Sequence, residues 1–91
     1  MRSDEFEWDD EKAEANERKH SVPFDYAAEL LQGDYIAFHA RVSGESRVKA
    51  LARDCGEYFV VIYTEREGRV RIISARHATE KEAATYERYQ H

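Results

Sequence analysis

The spacing of apolar residues predicts two helices in the first third of the chain. Asp9 or Asp10 can cap a helix that runs to about His20, because a short acidic side chain accepts the free N–H groups at a helix start. A second helix is predicted from Pro23, which suits a first helical turn, to a stop at Gly33. Its apolar stripe, at three- and four-residue spacing, consists of Phe24, Ala27, Ala28 and Leu31.

Beyond Gly33 the apolar spacing changes to every second residue, which predicts strands. The segments concerned are 35–42, 47–53, 57–65 and 69–76, with short glycine-containing turns between them. Segment 57–65 is apolar on both faces, so we expect it in the interior of the sheet. Thr79 and Glu82 form a capping-box pattern that predicts a final helix.

With a possible edge strand at Phe6-Glu7-Trp8, these elements define a fold class. The sequence predicts one α+β domain over residues 1–91. Its order is a short N-terminal strand, two helices, an antiparallel meander of about four strands and a C-terminal helix.

Length and composition indicate a small cytoplasmic protein. Ninety-one residues allow one small hydrophobic core. The single Cys55 excludes an internal disulfide, which fits a reducing compartment. The acidic N-terminus has no apolar run typical of a signal peptide, and the apolar run 58–63 is too short to cross a bilayer.

Charge is distributed unevenly along the chain, whose formal total is −5. Residues 1–17 hold eight acids and two bases, whereas residues 41–77 hold eight bases and five acids. An acidic N-terminal segment followed by a basic segment fits a protein whose basic segment binds a polyanion. Composition alone favours the alternative, a solvated acidic helix and an ordinary charged sheet surface.

The ionisable residues indicate metal-free RNA cleavage as a candidate activity. That reaction needs a base for the 2′-hydroxyl, cations for the phosphate and an acid for the leaving 5′-oxygen. Histidine titrates near neutral pH, and arginine binds phosphate with a planar fork. The candidates are His20, Arg47, Lys49, Arg53, Tyr63, Glu65, Arg66, Arg71 and Arg76.

Several of these candidates have a structural alternative. One face of the strand 47–53 carries Arg47, Lys49 and Arg53. These cations either bind along a phosphate backbone or belong to an ordinary solvent-exposed face of the sheet. His20 at a helix C-terminus complements the helix dipole without any catalytic role. Glu65 is either a base or a partner that orients an arginine.

Strand parity sets a geometric condition on the site. Tyr63, Glu65 and Arg71 are odd-numbered, whereas Arg66 and Arg76 are even-numbered, so simple alternation does not place all five on one face. Arg76 can join Glu65 only if the strand twists, bulges or ends before it.

The sequence offers no pattern for a metal or cofactor, and none is expected. The four histidines show no ligand spacing, and Cys55 stands alone. The chain also lacks a glycine-rich phosphate loop and a Gly-x-Ser-x-Gly nucleophile motif.

Several separated motifs, in the right order, resemble the BrnT-type toxins. They are Phe6-Glu-Trp-Asp9 with Lys12, Asn16 and Lys19-His20; Phe24 with Ala27-Ala28-Glu29; Arg47-x-x-Ala50-x-x-Arg53; Tyr63-Thr-Glu-Arg66; and Arg71-Ile-Ile-Ser-Ala-Arg76 followed by Ala78-Thr79. The resemblance covers nearly the whole chain. It implies a RelE-like fold and a metal-independent ribonuclease toxin of a type II toxin–antitoxin pair.

The resemblance also implies partners. A BrnA-type antitoxin is expected to neutralise the toxin, in a heterotetramer built on a dimeric antitoxin. That antitoxin would supply the DNA-binding part of an autorepressing complex, so this chain would meet DNA only through it. RNA is the expected substrate, and no membrane partner is expected.

Matched motif by motif, the resemblance assigns site residues to this chain. The catalytic set is His20, Arg53, Glu65 and Arg76, and the RNA-binding set is Arg47, Lys49, Arg66 and Arg71. The chain departs from the family pattern at Ser21, where glycine is usual, and at His39-Ala40-Arg41, where a Pro-Arg-His run is usual. Whether His39 replaces the missing histidine is a question for the structure.

The predicted function is therefore RNA cleavage by attack of a 2′-hydroxyl on the adjacent phosphate. The alternative is a non-catalytic interaction module of the same family. Such a module would bind an antitoxin-like partner and help transcriptional autoregulation.

Overall fold

The computed structural model describes residues 5–90 of the chain. The elements in chain order are β1 (Phe6–Glu7), α1 (Asp10–His20), α2 (Phe24–Gln32), β2 (Tyr35–Val42), β3 (Glu45–Asp54), β4 (Glu57–Arg66), β5 (Arg69–His77) and α3 (Glu80–Gln90). This order confirms the predicted α+β fold.

The five strands form one sheet in the order β1-β5-β4-β3-β2. Strands β2 to β5 are an antiparallel meander, and β1 joins β5 in parallel through Phe6 and Glu7. The central strand is β4, which explains why it is apolar on both faces: Val60 and Val61 are fully buried on opposite sides of the sheet.

Three two-residue turns connect the meander, and each has left-handed backbone at both positions. Their φ angles are 52° and 80° at Ser43-Gly44, 50° and 79° at Cys55-Gly56, and 51° and 79° at Glu67-Gly68. Positive φ at both positions is typical of the type I′ turn, whose twist matches that of the flanking strands. Glycine at the second position makes this geometry accessible and sets the register of the hairpins.

Helices cover both faces of the sheet. On what we call the α2 face, helix α2 packs against the even-numbered residues of β3, Val48, Ala50 and Ala52. On the opposite α3 face, helix α3 places Tyr86 in a smaller cluster with Leu51 and Val60. The odd-numbered residues of β3 therefore point toward α3.

Helix α1 lies beside the outer edge of β5 and buries none of its own residues. Strand β1 pairs only with Val70 and Arg71, so the rest of that edge needs another partner. Asn16 provides it: its side-chain amide donates to the Ala75 carbonyl at 2.8 Å and accepts from the Ala75 N–H at 3.2 Å. The same amide also donates to the Val22 carbonyl at 3.2 Å. One side chain therefore replaces a strand and attaches α1 to the sheet.

We predict that Asn16→Ala lowers the free energy of unfolding by about 2–3 kcal/mol, because backbone groups in a half-buried site lose their partners. Urea denaturation would measure the change. Glu14→Ala, at an exposed position of the same helix, is the control and should stay within about 0.5 kcal/mol of the wild type. Equal effects of the two variants would show that Asn16 does not attach α1.

The backbone at the end of α1 gives a physical reason for the glycine that is usual at position 21 in the family that the chain resembles. Ser21 has φ 61° and ψ 25°, and its N–H donates to the Glu17 carbonyl at 2.8 Å. This left-handed C-cap favours glycine, which has no side chain to clash there.

We predict that Ser21→Gly raises the free energy of unfolding by about 0.5–1 kcal/mol, because it relieves the left-handed backbone at the cap. Ser46→Gly tests the same exchange on extended backbone in β3, where it should instead destabilise. Thermal and urea unfolding of both variants would check the opposite signs. Destabilisation by Ser21→Gly would refute the backbone explanation.

Candidate nucleic-acid interface

A β-bulge in β5 determines which arginines share a face. The pairing of β4 with β5 shifts by one residue after Ile62 and leaves Ile73 as an extra residue on β5. Side-chain alternation changes phase there, so odd-numbered Arg71 and even-numbered Arg76 lie on the same side. Since Arg76 is opposite Val60, that side is the α3 face.

Six of the eight predicted site residues lie on the α3 face, and we call their side chains the basic face. They are Arg47, Lys49 and Arg53 of β3, Arg66 of β4, and Arg71 and Arg76 of β5. Three neighbouring strands thus contribute cations to one surface.

Glu82 of α3 is the main anion against this basic face. Arg76 donates to its two carboxylate oxygens at 2.7 and 2.9 Å, and the Lys49 ammonium lies 2.5 Å from the carboxylate. The Glu82 side chain is only 13% exposed. Hydrogen bonds from Arg76 hold the pKa of Glu82 well below its usual value, and Glu82 in turn raises the pKa of Arg76.

Glu82 also closes the predicted capping box. It accepts from the Thr79 N–H at 2.9 Å, and its own N–H donates to the Thr79 hydroxyl at 3.2 Å. The sequence motif predicted this capping role. It gave no sign that the same carboxylate would also bind Arg76 and Lys49, because that contact depends on how α3 packs on the sheet.

Other carboxylates bind most of the remaining cations of the basic face. The pairs are Arg71–Glu7 at 3.0 Å, Arg53–Glu87 at 3.5 Å and Arg66–Glu45 at 3.7 Å. The Arg53 guanidinium also lies 5.5 Å from the centre of the Tyr58 ring. Among residues 5–90, the buried Nε of Arg47 has no hydrogen-bond partner. The basic face is therefore largely neutralised by the chain itself, with Arg47 as the exception.

His20 lies at the border of the basic face. With Lys12 and Lys19, it lines an open depression of about 310 Å³ between α1 and β5, which Ser74 also lines. Ser74 is on the α3 face, two residues from Arg76, which is about 7 Å along a strand. The structure thus brings His20 to the outer edge of β5 near Ser74, which lies on the same face of the sheet as Arg76.

Glu65 and His39 lie on the other side of the sheet. Glu65 is opposite Val70, which packs against the core of the α2 face, so the bulge does not bring Glu65 to Arg76. His39 is opposite Val48, another residue of that core.

Tyr63 also belongs to the α2 face. It is 5% exposed, and its hydroxyl lies 3.1 Å from that of Tyr35. Burial raises the pKa of Tyr63 above its ordinary value. The ring is a core residue whose polar end is satisfied by another tyrosine, which excludes it from the basic face.

Two absences hold for the part of the chain that the structure describes. No group of three or more His, Cys, Asp or Glu side chains there is arranged to hold a metal ion. No helix there has the length and apolar character needed to cross a membrane.

A small α+β protein with cations from three strands on one sheet face is of the class suited to bind a polyanion. Comparison with protein families shows to which family of this class the chain belongs. The family described as "Ribonuclease toxin, BrnT, of type II toxin-antitoxin system" matches residues 8–82, so the chain belongs to the BrnT toxin family. This confirms the resemblance, and membership implies an antitoxin partner. A comparison with curated proteins gave no match.

We predict that Glu82→Gln lowers the free energy of unfolding by about 2 kcal/mol at pH 7, since it weakens charge-assisted hydrogen bonds in a mostly buried site. The pKa of Glu82 is lower in the folded chain than its ordinary value of 4.5. Its stabilising effect is therefore complete above about pH 5 and declines as the pH falls below that value. Urea denaturation at pH 7, 5 and 3 should show the difference from wild type shrinking with acidity.

Glu87→Gln is the matched control for this experiment. Glu87 lies 3.5 Å from Arg53, and both side chains are well exposed, so its loss should cost less than about 0.5 kcal/mol at each pH. Equal small effects of the two variants would refute the assignment of Glu82 as the main anion.

Proposed function

We propose that this chain is a metal-independent endoribonuclease toxin that cleaves RNA on its basic face and is neutralised by a BrnA-type antitoxin in the cytoplasm. One observation carries the proposal: arginines and a lysine from three strands converge on one face, with His20 at its border. Family membership supports ribonuclease activity at the level of the family.

The Glu82 carboxylate indicates where a phosphate would bind. Arg76 and Lys49 already surround an anion there, and a phosphate offers the same fork of oxygen acceptors. RNA would therefore displace Glu82 and take over its two cations. Arg53 would stabilise the same phosphate, while Arg47, Arg66 and Arg71 would position the flanking strand.

His20 is the proposed proton acceptor from the 2′-hydroxyl. The oxygen then attacks the adjacent phosphorus, Arg76 and Lys49 stabilise the added negative charge, and the bond to the 5′-oxygen breaks. The products are a 2′,3′-cyclic phosphate and a 5′-hydroxyl. Glu65 faces away from Arg76, so a proton for the leaving oxygen would come from water rather than from Glu65.

The second candidate function is partner binding without catalysis. In that role the chain would bind an antitoxin-like partner and help transcriptional autoregulation. The observation in its favour is that carboxylates of the same chain already pair with five of the six cations of the basic face. Binding of an acidic partner segment would need the same exchange of anions as RNA binding.

Incubation of the purified chain with RNA in EDTA separates the two functions. We expect cleavage that survives chelation and leaves 2′,3′-cyclic phosphate ends. Arg76→Ala should reduce the cleavage rate by at least about 100-fold, because it removes a cation that stabilises the transition state. When the variant is expressed without the antitoxin, it should no longer arrest growth.

Glu82→Gln is the control for folding, since it breaks the same ion pair but leaves Arg76 in place. It should keep cleavage at or above the wild-type rate. Glu65→Gln should change the rate less than about threefold if the opposite face takes no part. Intact RNA together with tight antitoxin binding would favour the non-catalytic function, and equal cleavage by wild type and Arg76→Ala would refute the proposed site.

A further inference from the structure

The two edges of the sheet differ in whether their backbone N–H and C=O groups have a partner. The outer edge of β5 is covered by β1 and by the amide of Asn16. At the other edge, β2 pairs with β3 over all eight of its residues, and no strand within residues 5–90 pairs with its outer side. A strand with a free side presents a row of N–H and C=O groups to any extended segment.

Strand β2 also lacks the devices that usually protect a free edge. Its register with β3 is continuous from Tyr35 to Val42, so it has no bulge. It contains neither proline nor lysine, and Arg41 is its only residue with a permanent charge. Long, regular and unprotected edges are a template for pairing with another chain.

Exposed apolar side chains lie along this same edge. Phe38 and Val42 are on one face of β2 and are 37% and 44% exposed. Tyr89 of α3, 60% exposed, packs edge-on against Phe38 with ring centres 5.7 Å apart. These three are the exposed large hydrophobic residues of the described chain. An alternating strand laid along β2 would cover Phe38 and Val42 with its own apolar side chains.

Charge decides between the possible occupants of this edge. Residues 35–53, which form β2 and most of β3, hold four bases and one acid. Lys49 and Arg53 are already paired with Glu82 and Glu87, which leaves Arg41 and Arg47 as the cations near this edge that form no ion pair within residues 5–90. A second copy of the chain would bring like charge to the same edge, whereas an acidic segment would be attracted.

We infer that the antitoxin adds an extended segment to the free edge of β2, with apolar residues against Phe38 and Val42 and acidic residues between them. The inference rests on the proposed function, because it takes the antitoxin as the partner. It adds the surface and the chemistry of the contact.

Hydrogen–deuterium exchange tests the strand pairing directly. The chain, alone and in complex with its cognate antitoxin, would be compared amide by amide. We expect alternate amides of β2, those directed away from β3, to exchange at least tenfold more slowly in the complex. Protection confined to α1 or α3 would overturn the inference.

A lysine on the edge tests the apolar contact. Phe38→Lys should weaken antitoxin binding at least tenfold, measured by titration calorimetry. Ala84→Lys adds the same charge at an exposed position of α3 and should leave binding unchanged. Unfolding temperatures of both variants check the fold. Unchanged binding by a folded Phe38→Lys variant would refute the contact.

The failure of this inference is separable from that of the proposed function. RNA cleavage by the isolated chain reports on the basic face, whereas β2 protection reports on the edge. Light scattering of the free chain tests whether a second copy of the chain occupies the β2 edge instead. A dimer that dissociates in the Phe38→Lys variant would assign the edge to a second copy and overturn the inference.

Discussion

The extra residue at Ile73 is the constraint on which the basic face depends. Without it, alternation along β5 would turn either Arg71 or Arg76 toward the α2 face, where the core excludes charge. The bulge resolves this conflict, because it changes the phase of the strand between the two arginines. The apolar side chains above and below it still reach their own clusters, so one inserted residue serves both packing and charge.

Helix α3 supplies a carboxylate that binds cations of the basic face. Its apolar contacts with the sheet are made by Tyr86 and Tyr89, and its Glu82 carboxylate binds Arg76 and Lys49. A helix held over a sheet by ion pairs responds to other anions, because a competing phosphate or carboxylate offers the cations an equivalent partner. The stability of the free protein and its proposed affinity for RNA therefore draw on the same interactions.

Local signals predicted most of the fold, whereas long-range pairing determines the site. The strand Tyr35–Val42 and the helix Asp10–His20 were predictable, because alternation of apolar and polar residues and helix capping depend only on residues close in sequence. The bulge at Ile73 and the docking of Glu82 arise from contacts between distant segments. For this reason the six cations were predictable as candidates, but not the face that they share or the position of Glu65 opposite to it.

The contact between Asn16 and Ala75 spans most of the chain, and this has a consequence during synthesis. The three tight turns allow the meander to form from neighbouring segments as they emerge from the ribosome. Helix α1, with His20 at its end, has no edge to join until β5 has been made. A nascent chain that stops before Ala75 cannot assemble the proposed site, because the edge that holds α1 has not yet been made.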